Sequence, residues 1–197
     1  MSQTQTTISA QPISTARLLH QTLAVVLGSA FVAACAHISI PLVFTPVPLT
    51  MQNFAVLLIG LLLEPTAAFA ALVLYLIEGA AGLPVFVPNA PGGFLHLFGP
   101  SGGYLLAYPF VAFLAGWLAR RIQPVTFMTF SISAATASLA LYVAGASWFI
   151  ALTHLSPAAT LKMTVLPFLA GDALKVVAAA AIAVTVTRFR KKISNPL

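Results

Sequence analysis

Long apolar stretches separated by single charged residues form the dominant pattern along this chain. Charge-free segments cover residues 18–63, 79–119 and 122–161, and shorter ones extend the pattern to residue 187. A membrane-spanning helix needs about 20 mostly apolar residues, because a ~30 Å hydrocarbon core is crossed at ~1.5 Å per residue. The longest segments are therefore long enough for more than one crossing each.

Prolines and glycines divide these stretches into six predicted helices. Three prolines interrupt the first stretch at 41–48, Pro65 follows Glu64, and residues 82–103 contain four prolines and six glycines, which is typical of an irregular connection. A turn at Ser156-Pro157 precedes the last helix. The predicted helices cover residues 20–41, 50–63, 66–81, 104–120, 125–153 and, after this turn, a segment that ends at about 188.

One domain accounts for nearly the whole chain. We predict a polar N-terminal tail at 1–19, a six-helix membrane domain at 20–188 and a basic C-terminal tail at 189–197. The predicted fold is an all-α integral membrane protein, a compact bundle with an ordered lid on its outer side.

Composition excludes the main soluble classes. Hydrophobic residues make up 60% of the chain, charged residues only 6%, and the mean hydropathy is +1.01. A soluble domain carries about a quarter charged residues. The values therefore exclude a soluble enzyme and a disordered chain, and a single cysteine excludes a disulfide scaffold.

Basic residues predict the orientation in the membrane. Arg17 precedes the first helix, Arg120 and Arg121 follow the fourth, and four more basic residues follow the sixth. In a six-helix count all three groups fall on one face, which the positive-inside rule makes cytoplasmic. The net charge of +6 then reflects topology rather than nucleic-acid binding. Both termini of this multi-pass membrane protein are predicted to be cytoplasmic.

Two charged residues lie inside the last predicted helix. Asp172 and Lys175 are three residues apart and so share one helical face, five residues beyond Pro167. A charge at this depth costs about 3 kcal/mol on insertion scales, so intramembrane charges usually mark a ligand or proton site. A purely structural ion pair is the alternative. Glu78, near the outer end of the third helix, is either interfacial or a proton site.

The outer connections at 42–49 and 82–103, here called the lid, are too apolar for free loops. Their Gly- and Pro-rich backbone with aromatic residues predicts a folded cover over a cavity, although a simple plug of the bundle is the alternative. The four histidines lack metal-ligand spacing, and no Walker sequence is present, so we expect neither a metal site nor an intrinsic ATPase.

Small residues on the first helix predict a close helix contact. Ala30 and Ala34 have the small-xxx-small spacing that lets a second helix approach. From the residues alone, a partner surface and packing within the bundle explain this spacing equally well.

Four motifs resemble the BioY family, the biotin-specific substrate-binding (S) components of energy-coupling factor (ECF) transporters. They occur in the family's order and span most of the chain. They read TPVPLTMQ at 45–52, EGAAGLPVF at 78–86, GPSGGY at 99–104 and GDALK at 171–175.

The resemblance implies a six-helix S component in a prokaryotic plasma membrane that captures biotin from the outer side. It implies neither an enzyme nor a need for a cofactor. The partners of an S component in the family are a transmembrane coupling protein and two ATP-binding cassette ATPases. By position in the motifs, Asp172 and Lys175 match the family's ligand-binding pair, and Asn89 matches a binding asparagine. Tyr104 and Gln52 are further candidates for binding, and Ala30 and Ala34 match the docking surface.

Other readings stay open at this stage. A stand-alone or proton-coupled vitamin carrier would use Asp172, Lys175 and Glu78 as a relay. A structural or assembly membrane protein would need the charged pair only for folding. An S component for another vitamin is a narrower alternative, and a homo-oligomer is compatible with each of these readings.

Overall fold

The computed structural model describes residues 15–88 and 92–194, and most of these residues are helical. In chain order the helices are α1 (Thr15–His37), α2 (Gln52–Leu62), α3 (Pro65–Ala80), α4 (Gly102–Arg121), α5 (Phe127–Thr153), α6 (Pro157–Thr164) and α7 (Leu169–Ser194). The all-α prediction is therefore confirmed for the described part of the chain.

Two short strands and a 3-10 helix cover the outer end of the bundle. Strands β1 (Ser39–Ile40) and β2 (Leu49–Thr50) form an antiparallel pair with Ser39 opposite Thr50. A 3-10 helix at Gly93–Phe98 follows later in the lid. Lid side chains such as Val47, Phe86 and Leu97 are buried in the same hydrophobic core as the helices. These segments are thus folded onto the bundle.

Within residues 15–88 and 92–194, four helices are long and apolar enough to cross a membrane, over Leu18–His37, Gly102–Arg121, Phe127–Thr153 and Leu169–Ile193. Large apolar side chains point outward from them, including Leu27, Phe110, Leu139 and Leu174. Such a surface is unfavourable in water and favourable in lipid, since apolar area is stabilised when it leaves water. The chain is therefore a membrane protein.

Helices α2 and α3 are apolar but shorter, with 11 and 16 residues. Most of α2 is buried, and it packs against both α4 and α7, so it lies at the centre of the bundle. Non-helical backbone at membrane depth is tolerated where protein surrounds it. The packing explains how so short a helix can be accommodated, while the count of six crossings stays a prediction.

Two glycines bring α2 and α4 into backbone contact. A Cβ atom built on Gly116 would lie 2.4 Å from the carbonyl oxygen of Gly60, and one on Gly60 would lie 2.6 Å from that of Ala112. These separations are shorter than any normal contact. Glycine at both positions is what lets the central helix approach α4, which carries two tyrosines of the site described below.

The last helix departs from its predicted form. Instead of one helix, the chain makes α6 and α7 with a break at residues 165–168. Pro167 lies in this break, where its ring and missing N–H prevent a continuous helix. At the other end α7 runs beyond 188 to Ser194, and α1 begins at Thr15 rather than at 20. Basic residues in the last turns of α7 suit the negative end of the helix dipole.

Candidate ligand-binding site

The predicted charged pair forms at the start of α7. Lys175 Nζ lies 2.8 Å from Asp172 Oδ1, and both side chains are almost fully buried. Because the chain breaks around Pro167, Asp172 falls in the first turn of a new helix, where the helix dipole favours an anion. The break therefore places the carboxylate at a helix N-terminus inside the bundle.

The second oxygen of Asp172 accepts hydrogen bonds from two other helices. Asn53 Nδ2 on α2 lies 3.0 Å from Oδ2, and the Tyr142 hydroxyl on α5 lies 2.5 Å from it. Tyr108 on α4 in turn donates to the amide oxygen of Asn53 at 3.1 Å. Asp172 thus joins four helices in one polar network, which satisfies groups that would be costly to bury alone.

Sequence reasoning missed Asn53, Tyr108 and Tyr142. A signal for Asn53 was available, because it forms with Gln52 a polar pair in an otherwise apolar stretch. The two tyrosines gave no comparable signal, since a tyrosine in an apolar helix is ordinary and only the packing of α4 and α5 turns these hydroxyls toward Asn53 and Asp172.

Gln52 and Tyr104 reach the same region from α2 and α4. The buried Gln52 donates through Nε2 to the Tyr75 hydroxyl at 2.6 Å, and Tyr75 donates to the carbonyl of Val85 in the lid at 3.1 Å. Tyr104 donates to the carbonyl of Thr164 at 2.7 Å, at the end of α6. Gln52 therefore ties the bundle to the lid, and Tyr104 holds the broken segment before α7.

These side chains surround a small cavity of about 40 Å³ beneath the lid. Its lining comprises Val47, Pro48, Thr50, Gln52, Asn53, Val87, His96, Ser101, Tyr104, Leu105, Tyr108, Tyr142, Thr164, Phe168 and Lys175. Asp172 lies directly behind this lining, covered by Lys175, Asn53 and Tyr142. The structure thus brings four predicted site residues together, and the fifth, Asn89, lies outside the described residues.

A wider outer cavity of about 570 Å³ adjoins the first. The two share Pro48, Val87, His96 and Ser101 in their lining. His96 is buried and stacks on Phe86, with 4.8 Å between ring centroids. The outer cavity thus lies against the cavity that Lys175 lines.

Two other predicted features lie apart from the cavity. Ala30 and Ala34 are exposed on the face of α1 that points away from the bundle. Glu78 accepts a 2.5 Å hydrogen bond from the buried Ser29 hydroxyl on α1 and makes no ion pair with Lys175. Glu78, the third member of the hypothetical proton relay, is therefore bonded to α1 and not to the Asp172–Lys175 pair.

Comparison with known proteins adds the following similarities. The model of the BioY family matches residues 3–192. The probable biotin transporter BioY of Pyrococcus horikoshii is 37% identical over 138 residues, which cover 70% of this chain and 79% of that protein. The biotin transporter BioY2 of Lactococcus lactis is 32% identical over 159 residues, covering 81% and 85%.

A solved structure shares the fold. It is the crystal structure of the S-component for biotin from an ECF-type ABC transporter, with a TM-score of 0.82 and 24% identity. The match covers 89% of this chain and 95% of that one. Nearly the whole arrangement of helices is thus common to both molecules.

Proposed function

The chain belongs to the BioY family, and from this premise we propose that it is the biotin-binding S component of a vitamin importer. The resemblance inferred from the four motifs is confirmed, and the relatives named above are transporters rather than enzymes. The observation that carries the proposal is the buried Asp172–Lys175 pair beside a covered cavity. A network of neutral donors and acceptors surrounds this pair.

The chemistry of biotin matches this network. Its ureido ring has two N–H donors and one carbonyl acceptor, so it needs both kinds of partner at once. Lys175 can donate to the ureido carbonyl, and Asp172 can accept from a ureido N–H when this hydrogen replaces Asn53 or Tyr142 on Oδ2. Tyr104, Leu105 and Phe168 provide apolar walls for the thioether ring. By family position, Asn89 would add a further polar contact.

The valerate tail of biotin has a place in this arrangement as well. The outer cavity adjoins the inner one at His96 and Ser101, which line both cavities. An imidazole N–H and a hydroxyl can each donate to a carboxylate. Because small-molecule pockets usually measure several hundred Å³, we propose that the lid shifts outward when the ligand enters the cavity.

Direct ligand binding tests the assignment. We expect the purified chain in detergent to bind tritiated biotin saturably, with displacement by desthiobiotin, which keeps the ureido group, and none by thiamine. Folded protein that binds no biotin would contradict the proposal. Displacement by thiamine would contradict the assigned ligand.

We propose six membrane crossings with both termini in the cytoplasm. His20 near the start of α1, Leu63 between α2 and α3, Arg120 at the end of α4 and Arg190 near the end of α7 line one cavity. These segments therefore meet at one end of the bundle, which is also the end rich in basic residues. The positive-inside rule supports a cytoplasmic position for this end.

The proposed partners are an ECF transmembrane coupling protein and two ATP-binding cassette ATPases, which would hydrolyse the ATP. The exposed positions of Ala30 and Ala34 on α1 support a docking role, because exposed small residues permit the close approach of a partner helix. The alternative is that the chain imports its ligand alone or with protons. The separation of Glu78 from Lys175 gives that relay no structural support.

We expect Ala34→Trp to block assembly with the coupling module while biotin binding changes less than about twofold. The indole would hold a partner helix away from α1, and Ala34 does not line the cavity. Co-purification with the module measures the effect. Leu139→Trp, at an exposed position on α5, is the matched control. Normal co-purification of Ala34→Trp would remove this face of α1 as the docking surface.

A further inference from the structure

A second large cavity opens at the basic end of the bundle, opposite the lid. Its volume is about 600 Å³, and residues of α1 to α5 and of α7 contribute to its lining. The polar part of the lining consists of His20, Gln21, Glu64, Arg120, Gln123, Thr187 and Arg190. This cavity shares no residue with the cavity at Lys175, so the proposed transport function does not account for it.

An apolar groove of about 400 Å³ continues from this cavity along the outside of the bundle. The two have His20, Ala24, Leu62, Leu63 and Arg190 in common. Further along, the groove is lined only by apolar residues and Gly28: Leu23, Leu27, Gly28, Phe31, Leu58 and Ile59.

The length of the groove suits the acyl chain of a lipid. His20 and Phe31 are separated by eleven residues of α1, which correspond to ~16 Å of helix at 1.5 Å per residue. Polar and basic groups lie at one end of this length, and the rest is apolar. An amphipathic molecule with one charged end matches this division.

Arg120 makes three polar contacts at the polar end. Its guanidinium donates to the carbonyl of Leu63 at 2.6 Å and to that of Gly116 at 2.9 Å, and it lies 4.0 Å from the carboxylate of Glu64. Arginine has five N–H groups in a fixed geometry that suits phosphate, so it retains donors beyond these contacts. Arg190 and His20 contribute further N–H donors, and Glu64 is the carboxylate that faces them.

We propose that the cavity and groove together bind one anionic phospholipid of the surrounding membrane. Its phosphate would lie at Arg120 and Arg190, and one acyl chain would occupy the groove between α1 and α2. Basic pockets between membrane helices at the cytoplasmic side recognise anionic headgroups by this combination of charge and shape. The proposal does not depend on which vitamin the chain transports.

The experiment compares lipids added to the purified, delipidated full chain in detergent. We expect phosphatidylglycerol to raise the melting temperature more than phosphatidylcholine with the same acyl chains, and native mass spectrometry to detect one retained molecule. Arg190→Gln should weaken the retention of phosphatidylglycerol about fivefold, which is the loss expected for one basic group at an anionic surface. Arg188→Gln removes a charge that does not line the cavity, and we expect less than a twofold effect.

A second variant tests the groove without changing charge. Leu27→Trp should fill the groove and reduce retention of phosphatidylglycerol, whereas Leu139→Trp, an equally exposed position on α5, should not. Glycerol 3-phosphate, which has the phosphate but no acyl chains, should not stabilise the protein. Biotin binding to each variant reports independently that the outer site is folded.

Several results would overturn the proposal. Equal losses for Arg190→Gln and Arg188→Gln would indicate unspecific attraction to charge. Stabilisation by glycerol 3-phosphate alone would indicate a simple phosphate site. The two phospholipids could have equal effects while Leu27→Trp no longer co-purifies with the coupling module. That result would indicate that the groove accommodates a partner helix instead.

Discussion

Joint replacement of Asp172 by Asn and Lys175 by Met should lower the affinity for biotin at least about 100-fold while the protein stays folded. Hydrogen bonds to charged groups contribute ~1.5–3 kcal/mol each. Loss of two of them amounts to ~3–6 kcal/mol, and ~1.4 kcal/mol corresponds to a tenfold change in affinity. Binding of tritiated biotin at equilibrium measures the effect.

The double variant should lose affinity for biotin without losing stability. Replacing a buried ion pair by neutral groups of similar shape is often neutral or stabilising, so the melting temperature of the double variant should be unchanged or higher. Asp172→Asn alone leaves the buried Lys175 without its carboxylate at 2.8 Å and should cost about 3–5 kcal/mol of stability. The two variants therefore separate the binding role from the structural role of the pair.

Lys162→Met is the matched control for the lysine, because Lys162 is exposed on α6. We expect the affinity of this variant for biotin to stay within about twofold of that of the unmodified chain, since the side chain of Lys162 does not line the cavity. An unchanged dissociation constant in a well-folded double variant would rule out Asp172 and Lys175 as ligand contacts. The pair would then be structural.

Gly116→Ala should lower the melting temperature markedly and weaken biotin binding. The new methyl group would lie 2.4 Å from the backbone oxygen of Gly60, and backbone cannot yield as a flexible side chain can. Overpacking of a tight core typically costs about 1–3 kcal/mol. A displacement of α2 away from α4 would also lengthen the 3.1 Å hydrogen bond from Tyr108 to Asn53. Thermal unfolding in detergent and biotin binding would both be measured.

Gly171→Ala in α7 is the matched control for Gly116→Ala, because it adds the same methyl group to another helix. A Cβ at Gly171 would meet only Leu49 Cδ1, at the ordinary contact distance of 3.7 Å. Alanine is favoured over glycine in a helix by about 1 kcal/mol, so this variant should be as stable as the unmodified chain or more stable. Equal melting temperatures for Gly116→Ala and Gly171→Ala would show that the α2–α4 contact is unimportant for stability.

Local sequence patterns predicted the broad architecture because they depend on few residues at a time. Apolar stretches interrupted by prolines and glycines gave the helices, and the i, i+3 spacing alone required Asp172 and Lys175 to lie on one face. The sequence pattern predicts a continuous last helix that includes Pro167. The chain breaks there completely, because the Tyr104 hydroxyl and the backbone of the following turn satisfy groups that the interrupted helix leaves free.

The sequence by itself determined that this is a helical membrane protein with an intramembrane charged pair, since hydropathy and helical spacing are properties of neighbouring residues. Only the tertiary structure decided which neutral groups surround that pair. Asn53, Tyr108 and Tyr142 lie on three different helices. Asn53 and Tyr142 donate to Asp172 directly and Tyr108 donates to Asn53, because Gly60 and Gly116 let α2 approach α4 and because α5 and α7 pack side by side. Contacts of this kind depend on the close packing of whole helices, which no local spacing records.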